Sequence, residues 1–307
     1  MARIGLRVLL AAAVVALALG CASQEDQDHP KENAKPIGDR EPIDYRQVDF
    51  ADGAERVVFF ADLDRHLKHW SGAKSAADHA VAEAMELAVE EMVRGNFSAL
   101  VRILQEGQPN ERRIAAMALG FGRDSRALSP LIEATRDADP DVRIHALQSI
   151  GVLHDPETPV EPVLACMEDP DPGVRAAACF CLGGIVPPKS DKGALVPLLK
   201  ATQDPDARVR AHAVVSLGFL GNHMATKTVV SNSLFDENWL VRRNACAALG
   251  RIKDQRAVVP LVERLDDENE EVRLMAEEAL HQITDQDYGR NKRAWQEWAA
   301  KNTAELE

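Results

Sequence analysis

Hydrophobic and polar positions divide the chain into stretches of different character. Val8 to Leu19 is an unbroken apolar run. Residues 21–54 are polar and charged with almost nothing to bury, which predicts a disordered tether rather than a packed element. From residue 55 the spacing turns helical. Phe59, Phe60, Leu63, Leu67 and Trp70 recur on one face, and a second helix is predicted over Ala76 to Arg94. Residues 55–96 are therefore read as N-terminal helices. Beyond residue 96 a longer period takes over.

That period is a repeat over residues 97–284. One arginine returns at Arg112, Arg143, Arg175, Arg210, Arg242 and Arg273, in steps of 31, 32, 35, 32 and 31 residues. Three positions after each stands alanine: Ala115, Ala146, Ala178, Ala213, Ala245 and Ala276. Seven after come Leu119, Ile150, Leu182, Leu217, Leu249 and Leu280. Eight after is glycine in the first five units and His281 in the last. Six before the arginine stand Glu106, Asp137, Asp169, Asp204, Asp236 and Asp267, and seven before those acids, Pro130, Pro162, Pro197, Val229 and Pro260.

Each column has a mechanical reading. Proline fits the first turn of a helix, where its missing N–H costs nothing. The acid falls in the connection to a second helix, where a carboxylate can accept orphan N–H groups. Positions −1, +3 and +7 from the arginine form one apolar stripe, and alanine at +3 lets helices approach closely. Glycine at +8 is expected to end the second helix with a positive φ. Two short amphipathic helices per unit cannot bury their faces alone, so the units must stack.

With Asp139-Pro140-Asp141-Val142-Arg143 and Asp169-Pro170-Asp171-Pro172-Gly173-Val174-Arg175 as its clearest signatures, the repeat resembles the HEAT family, most closely its short bilin-lyase-type units. The resemblance implies an all-α, right-handed α-solenoid of six helix pairs. N-terminal helices precede the pairs, and a C-terminal cap over residues 285–307 follows, where Trp295 and Trp298 lie three apart on one helical face. It also implies a ladder between adjacent units. Arg143, Arg175, Arg210, Arg242 and Arg273, with Asp137, Asp169, Asp204, Asp236 and Asp267, would then be structural rather than an anion-binding row.

The apolar run at the N-terminus is an address. Arg3 and Arg7 supply a basic flank, and a small residue precedes the cut, so residues 1–20 read as a secretory signal. Ala18-Leu19-Gly20-Cys21 resembles the bacterial lipobox, in which the cysteine is acylated, although Ala18 stands where leucine is commonest. The plain alternative is an ordinary signal peptide cut near Ala22. Lipidation at Cys21 would hold the protein stably on a membrane of the cell envelope. Ala22 after the cysteine resembles the outer-membrane pattern of a diderm bacterium.

Composition narrows the partners. The net charge is −13, and −15 without residues 1–20, so phosphate backbones are repelled and nucleic acid is not an expected partner. Aromatic residues make up only 5%, which leaves alanine, leucine and valine to fill the core. No stretch after residue 20 approaches the roughly 18 apolar residues that span a bilayer.

Candidate chemistry is sparse. Asp62, His66 and His69 could share one helical face as metal ligands, but the same spacing suits a solvated polar face. Cys179 and Cys246 share a core position, and Cys166 could face Cys179 or Cys181 across a helix pair. Deoxyhypusine hydroxylase binds iron through His-Glu dipeptides in such repeats, and no His-Glu dipeptide occurs here. No nucleophile motif or phosphate loop is present, so neither an enzyme nor a cofactor is expected.

What remains is the inner surface of the second helices. Positions +1, +2 and +5 point away from the core stripe. They predict a mildly apolar groove for a protein or peptide partner, formed by Ile114, Met117, Ile144, His145, Gln148, Phe180, His212, Val215 and Asn244. His145 and His212 are expected there as hydrogen-bonded surface histidines. Two alternatives stand beside this reading: an accessory subunit docking through the N-terminal helices around Phe59 and Phe60, and a metal-dependent activity at Asp62, His66 and His69.

Overall fold

The computed structural model describes residues 48–51, 53–72, 76–155 and 157–302. The expected signal segment, Cys21 and nearly all of the expected tether lie outside them. The described residues form an all-α repeat solenoid without strands. It divides into two compact units, one ending at Leu153 and the other beginning at His154.

In the first unit, α1 (Gly53–Gly72) packs on α2 (Ala76–Glu106). Phe59 and Phe60 are buried with Leu63 and Leu67, and the Phe50 and Phe59 rings meet edge to face with centroids 5.0 Å apart. The apolar surface expected around Phe59 and Phe60 is therefore core. The helix predicted to end at Arg94 breaks two residues on, at Asn96, where non-helical backbone kinks α2 before the chain continues helically to Glu106. The Asn96 side chain is buried. Its amide donates to the Met92 carbonyl at 2.8 Å, and its oxygen accepts from the Val48 N–H at 3.4 Å. The first helix of the first repeat is thus the last part of α2. It is followed by α3 (Pro109–Phe121), α4 (Leu128–Ala134) and α5 (Pro140–Leu153).

In the second unit come α6 (Glu161–Cys166), α7 (Pro172–Ile185), α8 (Leu195–Ala201) and α9 (Ala207–Leu220). Next is α10 (Thr226–Thr228), which passes into a π-helical turn over Val229–Ser233, where the repeat lacks its proline. The unit ends with α11 (Trp239–Ile252), α12 (Val258–Arg264), α13 (Glu270–Thr284) and α14 (Lys292–Asn302). First helices of six or seven residues are too short to stand alone, so packing rather than propensity holds them. Trp295 on α14 is fully buried, with its indole N–H donating to the Gly289 carbonyl at 2.8 Å. Trp298 is only half-buried.

Second helices stack on second helices: α3 on α5 in the first unit, and α7, α9, α11 and α13 in series in the second. The +8 glycines permit this, and here the structure corrects the sequence reading. Gly120, Gly183, Gly218 and Gly250 lie inside their helices, and none has a positive φ. A Cβ on Gly218 would stand 2.8 Å from the Cα of Ala248, and one on Gly120 would stand 2.6 Å from the Cβ of Ser149. Glycine is needed because the next helix crosses at backbone contact. The residue it meets is the +6 position of the following repeat, which is always small. Where that residue is serine, its hydroxyl donates to a carbonyl of the helix it touches: Ser149 to Ala116 at 2.8 Å, Ser216 to Cys179 at 2.7 Å.

Candidate partner-binding face

Two sets of polar residues compete for a functional role, the arginine column and the second-helix rows. Arg112, Arg175, Arg210 and Arg242 are each held on two sides. The Arg175 guanidinium donates to the Asp169 backbone carbonyl of its own turn at 3.0 Å, and in bidentate fashion to Asp204 of the next repeat at 2.8 and 2.9 Å. Arg112 pairs in the same way with Asp137, Arg210 with Asp236, and Arg242 with Asp267. Arg143 donates to the Asp137 carbonyl at 2.9 Å. Arg273 donates to the Asp267 carbonyl and pairs with Glu270. Burial deepens from Arg175 to Arg242, where the Arg242 and Asp267 side chains are only 7% and 2% exposed. Such bidentate, charge-assisted pairs fix the spacing of neighbouring units.

The acids carry the expected signature. Burial pushes the Asp204 carboxyl up, but hydrogen bonds from Arg175 and from the Asp206 amide outweigh it, leaving it below the usual carboxylate range. Asp137 and Asp267 follow the same pattern with Arg112 and Arg242. These acids do not cap the second helices. Asp204 accepts the N–H two residues on, at Asp206, and it is Asp206 that caps α9 by accepting from the Arg208 N–H at 2.8 Å. Asp139, Asp171, Asn238 and Asn269 occupy the same −4 position and do the same work. The sequence reading missed this column, although Asp or Asn in five successive units was there to be aligned.

The rows expected to face solvent are largely interior. Ile114, Phe180, His212, Val215 and Asn244 are all buried. The next second helix stands close enough to cover +2 and +5 positions, so Phe180 packs edge to face on His212 with centroids 6.3 Å apart. Met117, Ile144, His145 and Gln148, all in the first unit, remain half-buried. Neither histidine is an ordinary surface group. Burial, with Arg208 nearby, lowers the His212 pKa to about 4. Burial and the Arg113 charge lower His145 to about 4 against the opposing effects of Gln148 and Asp64. Both are neutral at pH 7. Nδ1 of His145 has no hydrogen-bond partner among the described residues.

Other candidates contribute little chemistry. Burial pushes the Cys179 and Cys246 thiols up to about 12 and raises Cys181 as well, so all three are unreactive at neutral pH. Cys166 donates to the Pro162 carbonyl at 3.3 Å. Asp62 is buried, whereas the side chains of His66 and His69 lie outside those described. Among the described residues no group of three His, Cys, Asp or Glu could hold a metal, and no helix is long and apolar enough to cross a membrane.

The HEAT-repeat family matches this sequence over residues 97–161, 160–234 and 228–288. The chain belongs to the HEAT-repeat family. Comparison with curated proteins finds no match. Among solved structures, this HEAT-repeat chain is similar to an engineered protein from the Northeast Structural Genomics Consortium, with 18% identity and a TM-score of 0.51, over 84% of this chain and 76% of that one. It is also similar to a designed armadillo repeat protein, with 21% identity and a TM-score of 0.48, over 61% and 99% of the two chains. A third similar structure is the complex of CpcE and CpcF of phycocyanin lyase from Nostoc sp. PCC7120, at 18% identity and a TM-score of 0.47, covering 88% of this chain and all of that one. These likenesses are of fold.

Proposed function

We propose that this HEAT-repeat protein is a membrane-tethered, non-enzymatic scaffold that holds a protein or peptide partner on the face of its second helices. The observation that carries the reading is a division of labour. The repeated charged column is largely consumed in joining repeats, while Met117, Ile144, His145 and Gln148 stay partly open on α3 and α5. A mildly apolar face with a few polar groups is what peptide capture requires, and it needs no reactive residue. Acylation of Cys21 supplies the tether and places the protein in the cell envelope, at the outer membrane in a diderm cell.

The test is capture from solubilised envelope, comparing wild type with a Met117→Glu, Ile144→Glu double variant. Phe180 is unsuitable for substitution because it is buried. A partner retained by wild type and lost by the folded variant supports the reading. A partner that survives the substitution moves attention to the N-terminal helices, where Val57 and Leu87 are 67% and 61% exposed. Labelling with radioactive palmitate tests the tether: label on wild type should vanish in Cys21→Ala, and label-free wild type would overturn lipidation.

A further inference from the structure

In α11 the repeat departs from its own pattern. The +5 position, which carries Met117, Gln148, Phe180 and Val215 in the four preceding units, is Ala247, and it is half-exposed. On the same helix, four residues to either side, stand Arg243 and Arg251. An i, i+4, i+8 series lies along one side of a helix, so two arginines flank a side chain too small to fill the space between them.

Neither arginine belongs to the ladder. Arg243, half-buried, pairs with the exposed Glu271 at 3.2 Å and contacts the Asn244 oxygen at 3.4 Å. Among the described residues no carboxylate pairs with Arg251. Its guanidinium lies over the Phe219 ring of α9, 4.7 Å from the centroid. Stacking on an aromatic face leaves the edge donors of a guanidinium pointing outward, in the geometry that takes a carboxylate with two hydrogen bonds. Arg251 is accessible to solvent, yet surrounding protein and the Arg243 charge lower its pKa.

We propose that Arg243, Ala247 and Arg251, with Phe219 beside them, form a subsite for an acidic side chain, Asp or Glu, of a bound peptide segment. This rests on the scaffold reading and names the chemistry of its partner. Charge complementarity selects the occupant. The chain carries a net charge of −13, so a polyanion is repelled as a whole. Within about a Debye length, roughly 8 Å at physiological salt, Glu271 offsets Arg243, so a single carboxylate here is governed by Arg251, which no carboxylate of the described residues neutralises. Apolar residues next to that carboxylate would lie on Phe219 and Ala247.

The experiment selects binders to the full chain from a displayed library of random dodecapeptides, in parallel with Arg251→Gln and Arg243→Gln variants. Arg251 is exposed, so its variant should fold, and circular dichroism checks this. Selected peptides should be enriched in Asp or Glu flanked by apolar residues. They should bind Arg251→Gln roughly ten-fold more weakly, the effect of losing one charge-assisted hydrogen-bonded pair. Replacing the peptide's Glu by Gln should remove that difference. Binders without acidic enrichment, insensitive to both arginines, would overturn the subsite and leave the scaffold standing. If no peptide is selected at all, peptide capture fails and the subsite fails with it. Binding of vesicles containing anionic lipid with the same arginine dependence, in place of peptides, would also overturn the proposal.

Discussion

Arg242 and Arg243 are adjacent in sequence, on the same helix, and have opposite fates. Arg242 is buried, bidentate to Asp267, and tied to the turn of its own repeat. Arg243 is half-buried on the second-helix face, against an exposed glutamate. A rotation of 100° along α11 separates a bolt between repeats from a group able to meet a partner. Residue type says nothing about which is which. Position in the repeat register says nearly everything.

The largest expected effect breaks the ladder side of this comparison. Asp267→Ala removes the bidentate partner of buried Arg242, leaving it only the carboxylate of the exposed Glu268, and should cost about 3–5 kcal/mol in denaturant unfolding. Arg243→Ala, one position from the bolt, should cost less than about 1 kcal/mol. Equal losses would show that the seam and the face do not differ in energy.

Acid should separate the buried histidine from the ladder carboxylates. The native pKa of His212 is lowered to about 4, while the unfolded chain takes up its proton near 6.5. The unfolded state therefore binds more protons between these values, and stability is lost as pH falls from about 6.5 towards 4, by roughly 2–3 kcal/mol. His212→Leu should remove that part of the dependence when urea midpoints at pH 7 and pH 4.5 are compared. The ladder carboxylates have lowered pKa values, so their contribution is lost only below the usual carboxylate range.

Glycines sharpen the same point at smaller scale. Gly218→Ala drives a methyl group into the Ala248 backbone and should cost about 1–3 kcal/mol. Gly221 lies three residues on, has φ +61° and has nothing within 4 Å of its added Cβ. Gly221→Ala should cost about 1 kcal/mol, through backbone strain alone. The smallest effect belongs to the exposed Lys200–Glu168 pair, 2.8 Å apart, where Lys200→Ala should change stability by less than about 0.5 kcal/mol. Thermal unfolding of the three variants orders them.

Much of the architecture was legible because repetition averages away local noise. The arginine, the +3 alanine and the −6 acid recur often enough that their common geometry can be read without coordinates. The errors fall where one column serves two purposes. The −6 acid looked like a helix cap because it precedes a helix, but it braces the turn and meets the preceding repeat's arginine, while Asp206 and its equivalents cap. Glycine at +8 looked like a helix end, and its cause is the Ser149 or Ala248 backbone of the next helix. Phe180, His212, Val215 and Asn244 looked solvent-facing because a helical wheel shows one helix at a time. Arg243 and Arg251 escaped notice because no motif marks them.

The amino-acid sequence by itself determined the helix period, the register of six repeats and the identity of the residues that join them. These follow from short-range spacing, in which each residue's place is set by neighbours within a few turns. Only the tertiary structure decided which second-helix side chains remain open, and what each +8 glycine meets. It also decided which arginine lies over an aromatic ring. These depend on how closely one repeat lies against the next, a distance set by atoms some thirty residues away that no single helix contains.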